Sequence, residues 1–146
     1  MIPGANHVSP ALPATFRTAL GRALRGRCPR CGEASLFGRW LKPCPACPAC
    51  GQDWTPQRAD DFPAYIAILV TGHLLAPVVI AMVADFQLSP GAIAAILLPL
   101  SVGLMLGLLQ PAKGGVIAAQ WWHGLHGFAR ERPPRPEPGA PGQQAE

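Results

Sequence analysis

Two windows of the chain carry no formal charge, Ala64 to Ala84 and Gly91 to Leu109. At about 1.5 Å per helical residue the first is roughly 31 Å long and the second roughly 28 Å, against a hydrocarbon core of about 30 Å. With their flanks they predict transmembrane helices over 62–85 and 89–110. Only Asp85 to Pro90 join the windows, and so short a connection forces an antiparallel hairpin. Ahead of the spans, Phe16, Leu20 and Leu24 recur at i, i+4 and i+8 while Arg17, Arg22 and Arg25 lie off that stripe. This predicts a basic amphipathic segment over 15–27, lying on a membrane surface. Behind the spans, Ile117, Trp121, Leu125 and Phe128 make a similar stripe with Trp122 beside it, predicting an interfacial amphipathic helix over 114–129. Residues 1–14 and 130–146, rich in Pro without clear periodicity, read as disordered tails.

Within the spans, Gly103 and Gly107 form a G-x-x-x-G, with Gly72 and Ala76 as a counterpart, and such pairs let helix backbones approach closely. Pro77 and Pro99 withdraw the helical donors from the carbonyls of His73 and Ala95, which predicts a kink near the middle of each span.

Composition sharpens the membrane reading. Twelve Lys/Arg and eight Asp/Glu make 14% of the chain, where a soluble domain carries roughly 25%. All of them lie outside the two windows, which argues against a single globular domain, a disordered polyelectrolyte, or a nucleic-acid-binding module driven by the net charge of +4. Eight Lys/Arg precede the first span, none lies in the hairpin, and Lys113, Arg130, Arg132 and Arg135 follow the second. Both termini are therefore expected in the cytoplasm of a bacterial inner-membrane protein. The first 27 residues contain no apolar core of a secretory signal, so the first span is expected to act as the insertion signal.

Five cysteines lie between Cys28 and Cys50. Two copies of Cys-Pro-x-Cys-Gly, Cys28 to Gly32 and Cys47 to Gly51, are separated by a stretch that matches paired structural zinc knuckles. A C-x-x-C turn delivers two thiolates to adjacent corners of a tetrahedron, and Gly after the second Cys takes positive φ so that the chain turns back. The predicted zinc ligands are Cys28, Cys31, Cys47 and Cys50, in a ribbon over 28–55. Cys44 is a possible additional ligand, but a quartet using the Cys44/Cys47 pair would put Pro48 at the turn, where neither positive φ nor an N–H is available. An odd count and a cytoplasmic side both speak against disulfides. So short a segment needs its metal to fold, with Leu36, Phe37, Trp40 and Leu41 as a miniature core. Four thiolates on Zn²⁺ carry a charge of about −2, which Arg27, Arg30, Arg39 and Lys42 can offset.

Outside the ribbon, His73 stands near the middle of a span, where an ionisable group is costly; it is either hydrogen-bonded to Ser101 or Tyr65 or a functional contact. Gln120, His123 and His126 share a face read as solvated or headgroup-facing, with metal or haem contact as the alternative. Asp60 and Asp61 precede the first span, placed to cap it or to meet a partner's basic residues. No acid, base and nucleophile converge in the pattern, so no enzyme is expected.

The ordered motifs Gly26-Arg27-Cys28-Pro29-x-Cys31-Gly32, Leu36-Phe37, Leu41-Lys42, Cys47-x-x-Cys50-Gly51, Asp60-Asp61-x-Pro63-Ala64, Gly72-His73, Pro111-x-Lys113-Gly114 and Gln120-Trp121 span about residues 17 to 128. In these the chain resembles the bacterial membrane family known as domain of unknown function 983. Cys44, with its extra Cys-Pro-Ala copy, departs from that pattern. The resemblance implies a cytoplasmic zinc ribbon fused to two transmembrane helices; with the stripe behind the second span, the chain is expected to be a small α-helical membrane protein with an N-terminal zinc ribbon, a transmembrane hairpin and an interfacial amphipathic helix. No biochemical activity is established for the family as a class. Some relatives lie beside genes for haem–copper oxidase subunits and assembly factors, which suggests a part in oxidase biogenesis. A zinc-stabilised knob joined to an apolar hairpin is itself read as a non-enzymatic adaptor, with the bilayer and other membrane proteins as partners. The alternative is a metal- or haem-handling protein using His73, His123, His126 and Cys44.

Overall fold

Thr15, extended at φ −136°, accepts the Thr18 N–H on its hydroxyl at 3.3 Å and so starts the first helix, α1 (Phe16–Leu24). The computed structural model describes residues 12–131. After α1 come two short antiparallel strands, β1 (Phe37–Arg39) and β2 (Lys42–Pro43), with Phe37 opposite Pro43 and Arg39 opposite Lys42. Trp40 and Leu41 form the turn between them, Leu41 taking a φ of 60°. Two long helices follow: α2 (Phe62–Ala84), with Pro63 in its first turn, and α3 (Pro90–His123). Ser89 caps α3 by accepting the Ala92 N–H, Pro90 supplies a preset φ at its first position, and Gly124 ends it at φ 68°.

α3 packs back along α2 after a five-residue connection, and α1 lies against α3. The 34 residues of α3 extend over about 51 Å, roughly 20 Å more than a bilayer core. Its two ends differ accordingly. Its most apolar 18-residue window has no buried residue, whereas Ala112, Gly114, Ile117, Ala118, Gln120 and Trp121 are buried. The core of the molecule therefore sits around the last third of α3, where α1, the cysteine-rich segment and the stretch following Gly124 converge.

Several expectations change here. A separate helix over 114–129 is not found: Pro111 lies inside α3, which carries on to His123. A proline in a helix removes a single donor, and the packing of α1 and the cysteine-rich segment on this stretch holds it helical. Residues 124–129 turn back instead, and Phe128 is buried. In α1 the buried positions are Ala19 and Ala23, while the Phe16, Leu20 and Leu24 stripe lines a groove. Small side chains bring that helix close: a Cβ on Gly114 would clash with the carbonyl oxygen of Ala23. Gly72, Gly103 and Gly107, by contrast, have open space where their Cβ atoms would stand. The expected tails fall mostly on 1–11 and 132–146, outside the described residues. Their inner ends are anchored, with Pro13 buried and Glu131 paired to Arg30 at 2.9 Å.

Candidate metal centre

The two C-x-x-C turns share one geometry. Cys28 donates its N–H to Ala34 at 2.8 Å and Cys47 to Gln52 at 2.9 Å, while Gly32 and Gly51 return N–H bonds to the carbonyls of Cys28 and Cys47 at 2.8 and 2.9 Å. Isolated bridges, Arg27 with Ser35 and Ala46 with Asp53, close the base of each turn. Gly32 and Gly51 take φ of 78° and 70°, the left-handed region where a Cβ is costly. Gly32 has a second reason to lack a side chain, because Arg22 of α1 lies against it and donates to the Arg30 carbonyl at 3.0 Å.

These turns bring the sulfurs of Cys28, Cys31, Cys47 and Cys50 within 4.8 Å of one another. Cys28 Sγ stands 3.8 Å from Cys50 Sγ, and Cys31 Sγ stands 3.7 Å from Cys47 Sγ. A tetrahedron with metal–sulfur bonds of about 2.3 Å has edges of about 3.8 Å. The four thiols are free and could hold a metal ion. Cys28, Cys31 and Cys47 are buried, so such an ion would be largely screened from water.

Electrostatics favour mixed protonation without metal. Burial pushes the Cys28 and Cys50 thiols above their ordinary 9.0. Burial opposes ionisation of Cys31 too, but the N–H groups of Ala34 and Glu33 and hydrogen bonding with Cys28 and Cys50 outweigh it, lowering that thiol to about 7. The Arg30 guanidinium, raised first by Glu131, also interacts with Cys50, placing a cation beside the sulfurs. Of the expected cations, Arg27 binds the Glu33 carbonyl at 3.1 Å. Arg39 and Lys42 are exposed on the strands.

The packing behind the cysteines differs from the expected miniature core. Leu36 and Phe37 are buried, but Trp40 is 58% exposed at the strand turn. Trp54, missing from that expectation, is 1% exposed and packs edge-on against Trp121 and Phe128 with ring centroids 6.0 and 5.9 Å away. Its signal was positional: an aromatic a few residues after the second C-x-x-C turn, separated from the next apolar run.

The remaining candidates do not gather. Cys44 lies outside the quartet, beside Gly38, its N–H bonded to Leu36. His73 is exposed on α2 and bonds Leu69 of its own helix through Nδ1 at 2.8 Å, in place of Ser101 or Tyr65. His123 and His126 are exposed, His123 against the Phe16 ring, but Gln120 is buried and leaves the solvated face assigned to it. Asp61 holds the N-cap position of α2 without a side-chain cap bond, and Asp60 takes a φ of 37°. Backbone carbonyls of Ala59 and Asp61 instead receive the first N–H groups of the helix. Among the described residues, no other group of three His, Cys, Asp or Glu side chains comes close enough to hold a metal.

The chain matches the family described as "Protein of unknown function (DUF983)" over residues 37–121, a stretch that includes the second C-x-x-C turn, α2, and α3 as far as Trp121. No curated protein and no solved structure matches it.

Proposed function

The chain belongs to the DUF983 family, and from that premise we propose a non-enzymatic membrane adaptor: a zinc-stabilised cytoplasmic knob carried on a transmembrane hairpin that packs against other membrane subunits. The observation that carries this reading is the closed sulfur quartet. Four cysteine donors leave no position for water or substrate, the arrangement of structural rather than catalytic zinc. Zinc suits four thiolates at these spacings, and Arg30 supplies nearby positive charge.

The membrane half rests on exposure as well as length. A core helix of a soluble protein would be mostly buried, yet the most apolar windows of α2 and α3 are 17% and 0% buried. Ile68, Leu69, Ile80, Leu98 and Val102 are all more than half exposed, which water would penalise and lipid would not. The open faces at Gly72 and at Gly103 and Gly107 allow a partner helix to approach closely. At the cytoplasmic end, exposed Trp40 beside Arg39 and Lys42 shares a shallow pocket with Leu106 and Gly107, the level of the membrane–water boundary.

Crosslinking in native membranes followed by gentle purification tests the adaptor. The expected result is recovery with a larger membrane complex; by the gene neighbourhood of some relatives, that complex contains haem–copper oxidase subunits. A protein that runs alone, and whose deletion leaves oxidase assembly intact, contradicts the reading.

A further inference from the structure

A groove of about 640 Å³ opens between α1, the start of α2 and the last third of α3. Its walls include Leu20, Phe62, Ile66 and Ala119, while Arg58 and His126 also line it. Phe62 is 60% exposed, so its apolar ring is not covered by the described residues.

We propose that this groove holds an acyl chain of an anionic phospholipid from the surrounding bilayer, with Arg58 and His126 meeting the headgroup. The proposal rests on the membrane reading above. Three observations carry it. First, the groove straddles the boundary of the spans: Phe62 and Ile66 open α2 where its uncharged run begins, and Ala119 lies beyond Lys113, the first charge on α3. Headgroups lie at that level. Second, the lining is mainly apolar but includes two residues with cationic capacity, the pattern a lipid tail and phosphate require and a wholly apolar partner does not. Third, Arg58 is held in place. Gln120 accepts its backbone N–H at 2.9 Å and donates to its carbonyl, so the backbone is fixed. Among the described residues the ion pair found is Arg30–Glu131, and the Arg58 guanidinium pairs with no described carboxylate. Asp60 and Asp61, next along the chain, do not line the groove.

The test uses the full chain in nanodiscs of phosphatidylcholine alone or mixed with phosphatidylglycerol, with native mass spectrometry reading the lipid kept after release. Wild type should keep a phosphatidylglycerol molecule from the mixed bilayer. Ala119→Phe, which fills the groove, should cut retention by about tenfold, since a filled site leaves no room for the chain. Arg58→Gln keeps the backbone contacts with Gln120 and should retain lipid but lose the preference for the anionic headgroup. Equal retention by wild type and Ala119→Phe, or no headgroup preference in wild type, overturns the proposal while leaving the membrane reading in place. A chain recovered outside the nanodiscs overturns the membrane reading and this proposal with it.

Discussion

The side-chain amide of Gln120 closes on both backbone polar groups of Arg58, accepting its N–H at 2.9 Å and donating to its carbonyl across 62 positions of sequence. One buried side chain on α3 thus fixes the segment that leads from the second cysteine turn into α2. Truncating it leaves a part-buried backbone donor and acceptor without their partner at once. Gln120→Ala should cost about 2–3 kcal/mol, read as a lower unfolding midpoint in detergent with bound metal retained. An unchanged midpoint would show that this contact does not join the two parts.

Gly114 and its neighbour Gly115 should behave oppositely. A Cβ at Gly114 meets the Ala23 backbone, which cannot yield without moving α1, whereas one at Gly115 meets only the tips of Leu20 and Leu24 at 3.4 Å. Gly114→Ala should therefore destabilise by about 1–3 kcal/mol and speed amide exchange across Phe16–Leu24, with Gly115→Ala close to wild type. Equal exchange in the two variants would contradict the close helix contact.

The fold was legible where chemistry is local and obscure where it depends on tertiary approach. The cysteine turns announce themselves because ligand spacing and the glycines after Cys31 and Cys50 are encoded within a few residues. The long helices are visible as uncharged runs. Inside such a run, however, nearly every residue is apolar, so periodicity says little about which face packs. Gly103 and Gly107 advertised a close contact that the chain makes at Gly114. In the same way Trp40 and Trp54 look equivalent as sequence. Their difference lies in residues 124–128, which turn back after α3 and lay Phe128 on Trp54.

That difference is measurable. Trp54→Ala should cost about 3–5 kcal/mol, since the side chain is 1% exposed. Trp40→Ala should leave stability within about 0.5 kcal/mol. Chemical unfolding of both variants decides it, and comparable losses would contradict the assigned core.

Ligand choice separates cleanly by substitution. Serine at Cys28, Cys31, Cys47 or Cys50 should abolish metal retention, and Cys44→Ser should leave it unchanged, as read by elemental analysis of purified protein. Loss of metal from Cys44→Ser with retention in Cys50→Ser would overturn the quartet.

Metal capture should also be strongly pH-dependent. Burial keeps Cys28 and Cys50 protonated near neutrality in the metal-free protein, and Cys31, at about 7, is partly so. Binding therefore expels more than about two protons, and affinity should rise by more than about a hundredfold per pH unit approaching neutrality from below. Titration calorimetry in two buffers of different ionisation heat counts those protons. Binding without proton release would contradict this assignment of the metal-free thiols.

The most direct test of the central claim is X-ray absorption at the zinc edge on the detergent-purified full chain. Four sulfur neighbours at about 2.3 Å are expected. A shell containing nitrogen or oxygen, or protein that carries no zinc while its thiols react freely with alkylating reagent, would contradict the structural zinc centre.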